Sequence, residues 1–189
     1  TIDLDNLPVI RSTYRPKSNN KRSLLKSYSG NEILDMDLDG IELDGVLGEF
    51  LGEIQRERFA IALTGDSGAG KSTFSFLLAE LFAKKGYSIG YFSLEAGITK
   101  AMQEKINELQ LHHYNFEVFD KGTLEDVRLI SSYYDCIIVD SFSSISDYPK
   151  DFEALRQDFQ KVFFIVIFQK VNDGGIRGGA SIKFNSTTT

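Results

Sequence analysis

Between residues 65 and 73 the chain reads Gly-Asp-Ser-Gly-Ala-Gly-Lys-Ser-Thr, small residues followed by one cation and two hydroxyls. Gly65, Gly68 and Gly70 allow the backbone of this stretch, including Asp66, Ser67 and Ala69, to wrap closely around an anion. Lys71 adds a positive charge, and the hydroxyls of Ser72 and Thr73 follow it directly. The spacing satisfies G-x-x-x-x-G-K-[ST], in which the loop cradles phosphates, the lysine reaches the β- and γ-phosphates and the first hydroxyl binds Mg²⁺. A helix opening at this point would aim its amide donors and the positive end of its dipole at the same phosphates.

Three further residues complete a hydrolytic set. Asp140 ends the apolar run "CIIVD" and is placed to hold the water shell of the metal. The residue after it is Ser141, so a base must come from elsewhere. Glu95, in "YFSLEAG", ends the strand that follows the phosphate loop's helix, where a carboxylate can orient water for in-line attack. Gln169 ends "VFFIVIFQ" and can sense a γ-phosphate by hydrogen bonding.

These residues need elements that bring them to one edge. "FAIALT" (59–64) reads as a strand, and residues 71–85 show one apolar helical face at Phe74, Leu77, Leu78, Leu81 and Phe82. A strand over 88–94 and a helix over 98–109, with Ile98, Met102, Ile106 and Leu109 in register, come next. "FEVF" (116–119) is a strand, and a helix capped by Thr123 follows it. Residues 136–140 and 162–169 are apolar on both faces, as central parallel strands are, with a helix over 151–160 between them. The alternation predicts an α/β fold, a mostly parallel central sheet sandwiched by helices, with ligands beyond the carboxyl ends of the strands. His112 and His113 read as a turn at a helix end, and Tyr133 and Tyr134 as a pair packed on the sheet, with base stacking as the alternative.

Residues 11–30 carry six Lys/Arg and no acid, and residues 31–55 carry eight Asp/Glu and no base. This reversal divides the chain into a basic N-terminal arm (1–30) and a core (31–189). The arm reads as a solvated segment, or else as one that docks on a neighbouring subunit or nucleic acid. The chain opens at Thr1 and closes on a threonine run, which reads as a fragment with residues missing at either end, its core truncated at the C-terminus. Composition is that of an ordinary globular protein, 42% hydrophobic and 25% charged. The longest apolar run is too short to cross a bilayer, and the single cysteine, Cys136, supplies neither a disulfide framework nor a metal cluster. Both point to a cytoplasmic setting without a membrane partner. The net charge of −6 argues against a nucleic-acid binder with a broad basic footprint and leaves room for one local basic loop.

The order of these features resembles the RecA-like P-loop ATPases, nearest the RadA and DnaB-helicase branches, over about residues 45–185. "GYFSLEAG" resembles their strand-and-glutamate segment, "CIIVDSFSSI" their Walker-B strand, and "FQKVNDGGIRGGASIKF" their sensor strand with its glycine-rich loop. The resemblance implies ATP as the nucleotide, with Mg²⁺, and hydrolysis by Lys71, Glu95 and Gln169. It also implies a homo-oligomeric ring or filament with the active site at the subunit boundary, acting on single-stranded DNA in recombination, repair or replication. Within the loop from Lys170 to Ala180, Lys170 and Arg177 are then DNA contacts, or Arg177 a finger on a neighbour's γ-phosphate. Other readings open to the phosphate loop "GDSGAGKST" are a small-molecule kinase and a nucleotide-gated switch with little turnover. A kinase needs an arginine-rich lid, and only Arg156 and Arg177 follow Asp140. The base-reading Asn-Lys-x-Asp of GTPases and the Leu-Ser-Gly-Gly signature of ABC ATPases are both absent.

Overall fold

The structure, a computed structural model, describes residues 27–38, 40–57 and 59–169. Most of the basic arm, and the loop holding Lys170 and Arg177, lie outside the described residues. The chain divides into two compact units between Asp37 and Leu38. In the first, helix α1 (Gly30–Leu34) opens with a capping box in which Ser29 and Glu32 bond each other's backbone amides. Those bonds hold the Glu32 carboxyl below its ordinary range.

The second unit is built on a five-stranded parallel sheet of β3 (Ala60–Gly65), β4 (Ile89–Ser93), β5 (Phe116–Phe119), β6 (Cys136–Asp140) and β7 (Phe163–Gln169). Across the sheet their order is β3-β7-β6-β4-β5. Helices α3 (Lys71–Lys84), α4 (Lys100–Glu108), α5 (Leu124–Ser131) and α6 (Pro149–Asp158) connect them. Side chains alternate between the two faces. Ile61, Tyr91, Ile138 and Ile165 pack with α3 and α4, whereas Ala62, Phe92, Val139 and Val166 pack with α5 and α6. Because β6 and β7 are covered on both faces, their apolar runs are unbroken, as the sequence predicts.

Two helices depart from the expected limits. α4 starts at Lys100, since the Thr99 hydroxyl accepts from the Met102 amide and caps the helix there. Ile98 therefore precedes the helix and is 69% exposed instead of joining its apolar face. α6 runs two residues earlier than predicted, because Pro149 is favourable in a first turn. Residues 111–113 form a short 3₁₀ turn, and Thr123 caps α5 as anticipated. Of the tyrosine pair, Tyr134 packs edge-on against Phe119 and donates to Glu117, but Tyr133 is exposed.

The acidic stretch before β3 also holds structure that periodicity did not reveal. Strands β1 (Gly40–Ile41) and β2 (Ile54–Gln55) pair antiparallel around helix α2 (Gly45–Leu51). Ile41, Leu43 and Ile54 join the core on the α3 side. Each strand is two residues long, too short for alternation to register.

Candidate nucleotide site

The parallel register brings the four chemistry-bearing strand ends together. Gly65 stands opposite Gln169 across β3 and β7, and Ser93 stands opposite Asp140 across β4 and β6. All therefore lie on the carboxyl edge of the sheet. A cavity of about 800 Å³ opens there, lined by residues 65–73, Glu95, Ala96, Asp140 and Gln169. The residues singled out from the sequence thus share one cavity, apart from Lys170 and Arg177, which lie outside the described residues.

The loop from Gly65 to Gly70 is shaped by backbone that only glycine adopts easily. Gly68 and Gly70 have φ of 77° and 81°, a region where a Cβ would be strained. Gly70 caps α3 without any side-chain hydrogen bond. The first-turn amides of α3 have no intrahelical acceptor, by the geometry of any helix start. They face the cavity with the positive end of a 14-residue helix behind them. The Lys71 ammonium donates to the carbonyls of Gly65 at 3.0 Å and Asp66 at 2.8 Å, so it is anchored over the loop.

Opposite the loop stand two carboxylates of different exposure. Asp140 is 8% exposed, whereas Glu95 is open to solvent. Burial pushes the Asp140 carboxyl above its ordinary range, a hydrogen bond with Ser72 opposes that shift, and the nearby Glu95 charge adds to it. Hydrogen bonding from Tyr91 and the charge of Lys71 pull it back down.

Glu95 is positioned through the backbone. The amides of Leu94 and Glu95 both donate to the Asp140 carbonyl, at 2.6 and 3.1 Å. Ser93 donates its hydroxyl to the Gly97 carbonyl at 2.8 Å and closes the turn that carries Glu95. On the far side, the Gln169 amide donates to Ser143 Oγ at 3.4 Å, linking the end of β7 to the segment after Asp140. The Asp140–Ser141 peptide is cis. The sequence does not single out Ser75, Tyr91 or Ser93, whose only signal is a hydroxyl inside an apolar run, or Ser143, one of several serines after Asp140.

The donor set suits a magnesium nucleotide. Amides and an ammonium on one side match phosphate oxygens, while a hydroxyl and a carboxylate suit a hard cation that usually keeps several waters. The like charges of Glu95 and Asp140 would be relieved by a cation beside them. Among the described residues no group of three or more His, Cys, Asp or Glu is placed to hold a metal by itself. The Cys136 thiol is fully buried, and burial pushes its pKa up, so it is a packing residue.

No protein-family profile and no curated protein matches the sequence. Solved structures do match the fold. The flagellar accessory protein FlaH from Methanocaldococcus jannaschii aligns with a TM-score of 0.61 at 19% identity, over 80% of this chain and 78% of that one. A DnaB-like replicative helicase, in a structure that addresses its interactions with primase, aligns with a TM-score of 0.51 at 11% identity. That match covers 69% of this chain and 46% of the helicase, so the chain spans less than half of the helicase's length. At these identities the likeness is one of fold, and the fold is the RecA-like P-loop fold.

Proposed function

We propose that the chain binds ATP with Mg²⁺ and hydrolyses it, as the core of a homo-oligomer that acts on single-stranded DNA. The observation that carries the reading is the shared cavity, where the glycine loop, the start of α3, Asp140, Glu95 and Gln169 converge on one sheet edge. The first-turn amides and Lys71 would bind the phosphates. Ser72 and Asp140 would hold Mg²⁺, which when bound offsets charge on the β- and γ-phosphate oxygens. Glu95, hung from the Asp140 carbonyl, would orient the attacking water, and Gln169 would report on the γ-phosphate.

Action on DNA in recombination, repair or replication is supported by the resemblance of residues 168–184 to a sensor strand and DNA loop, and by the helicase among the structural neighbours. In this reading Lys170 and Arg177 contact DNA, or Arg177 serves a neighbouring subunit's site. A cytoplasmic setting accords with it; among the described residues no helix is long and apolar enough to cross a membrane. One observation favours a second reading, a nucleotide-gated assembly module with little turnover. The accessory-protein match extends over more of both chains than the helicase match does.

Steady-state ATP hydrolysis with and without single-stranded DNA, at low and moderate salt, separates the two. Several-fold stimulation that falls with salt supports a DNA-dependent ATPase. Nucleotide binding without turnover, in either condition, supports the assembly module.

A further inference from the structure

Tyr91 is fully buried on the α3 side of the sheet, yet its hydroxyl reaches the site. Its ring stacks on Phe76 with centroids 4.6 Å apart and leans on Phe116 at 6.0 Å, which delivers the hydroxyl to one point. There it donates to Asp140 Oδ2 at 3.3 Å and lies 2.9 Å from Ser75 Oγ. Ser75 Oγ donates in turn to the Ser72 carbonyl at 2.8 Å. These contacts form one line from the end of β6, through β4, to the first turn of α3.

A phenylalanine would fill the same space, so the oxygen is the part of Tyr91 that apolar packing does not explain. Burying a hydroxyl is costly unless it is bonded, and these bonds run to a residue of the site and to the helix that carries the phosphate loop. An ionised carboxylate has no proton to give, so at the Asp140 end Tyr91 must be the donor. Ser75 is also fully buried, and its single proton serves two acceptors, the Ser72 carbonyl and the Tyr91 oxygen.

We propose that Tyr91 and Ser75 are positioning residues for the magnesium site, their hydroxyls tying Asp140 to the backbone of Ser72 so that the two metal-facing groups keep a fixed separation. The proposal rests on the reading of Ser72 and Asp140 as that pair. The line couples the end of β6 to the first turn of α3, both of which line the same cavity, and residues behind metal ligands commonly set affinity in this way.

The test is binding of a fluorescent N-methylanthraniloyl ATP to the full chain across a MgCl₂ titration, which needs no turnover. The quantity read is the Mg²⁺ concentration at half-maximal enhancement of nucleotide affinity. Tyr91→Phe keeps the ring stack and is expected to raise that concentration about ten-fold. Ser75→Ala, one step further from the metal, is expected to raise it about three-fold. The double variant should match Tyr91→Phe alone, because both act through one line of bonds. An unmoved half-point in folded Tyr91→Phe overturns the proposal. If Tyr91→Phe fails to fold by circular dichroism, Ser75→Ala decides, and an unmoved half-point there overturns it equally. A wild-type protein whose nucleotide binding ignores Mg²⁺ overturns the metal-site reading itself, an outcome visible before any variant is made.

Discussion

The two ends of the sheet have the same kinds of groups and treat them differently. At the amino edge, a hollow of about 430 Å³ is lined by residues that include Asp135, Asp158 and Lys161. Its carboxylates are taken up by neighbours. Asp135 accepts from the Ser88 amide at 2.9 Å and the Ser88 hydroxyl at 2.8 Å, and returns its own amide to Ser88 Oγ at 3.0 Å. Asp158 is paired with Arg128. At the carboxyl edge, the Glu95 charge lies close enough to raise the Asp140 pKa, while the Lys71 charge lowers it. The Lys71 ammonium bonds backbone carbonyls there. A hollow alone therefore does not identify the site. What separates the edges is that Asp135 and Asp158 are held by Ser88 and by the Arg128 cation, whereas buried Asp140 is held by hydroxyls beside a second, exposed carboxylate, Glu95, a like-charge arrangement typical of functional sites.

Substitutions at the two edges should differ accordingly. The largest effect belongs to Lys71→Ala, expected to lower turnover by about 10²–10³-fold, as loss of a preorganised charge donor does, and to weaken nucleotide binding in a direct titration. Glu95→Gln should stop turnover by a similar factor while leaving nucleotide bound; turnover at the wild-type rate would remove Glu95 from the catalytic role.

Asp140→Asn should abolish the Mg²⁺ dependence of binding and yet stabilise the nucleotide-free protein. The sign follows from the raised carboxyl of Asp140. The folded state holds that proton more tightly than the unfolded chain, so stability falls as pH rises from the ordinary carboxylate range through the raised value. The Asn variant escapes that fall, so its melting temperature at neutral pH should exceed that of wild type. The gap should close below the ordinary carboxylate range. Asp135→Ala, at the amino edge, should cost about 2 kcal/mol of stability in denaturant unfolding. Nucleotide affinity should stay at the wild-type value; a parallel loss of affinity would erase the contrast between the edges.

Much of this site is legible in the amino-acid sequence alone. The glycine spacing from Gly65 to Gly70, the Lys71–Ser72 pair and the apolar runs ending at Asp140 and Gln169 are local signals, because each follows from what one segment must do to its own backbone. The helix limits were less so. Ile98 fits the period of α4, but Thr99 caps the helix after it, and a cap hydrogen bond outweighs a pattern of side chains. The β1–α2–β2 unit was invisible because its strands are held by pairing with each other and by the core beneath them.

The amino-acid sequence by itself determined a glycine-rich loop of P-loop spacing, an α/β alternation and the residues at the strand ends, since these depend on glycine conformations and on short-range periodicity. Only the tertiary structure decided that β7 and β6 stand between β3 and β4, which brings Gly65 level with Gln169 and Ser93 level with Asp140. It also joined Tyr91 to Asp140, 49 residues away, and hung Glu95 on the Asp140 carbonyl. Those bonds depend on strand order and register, which are set by packing both faces of the sheet at once and leave no mark in any single segment.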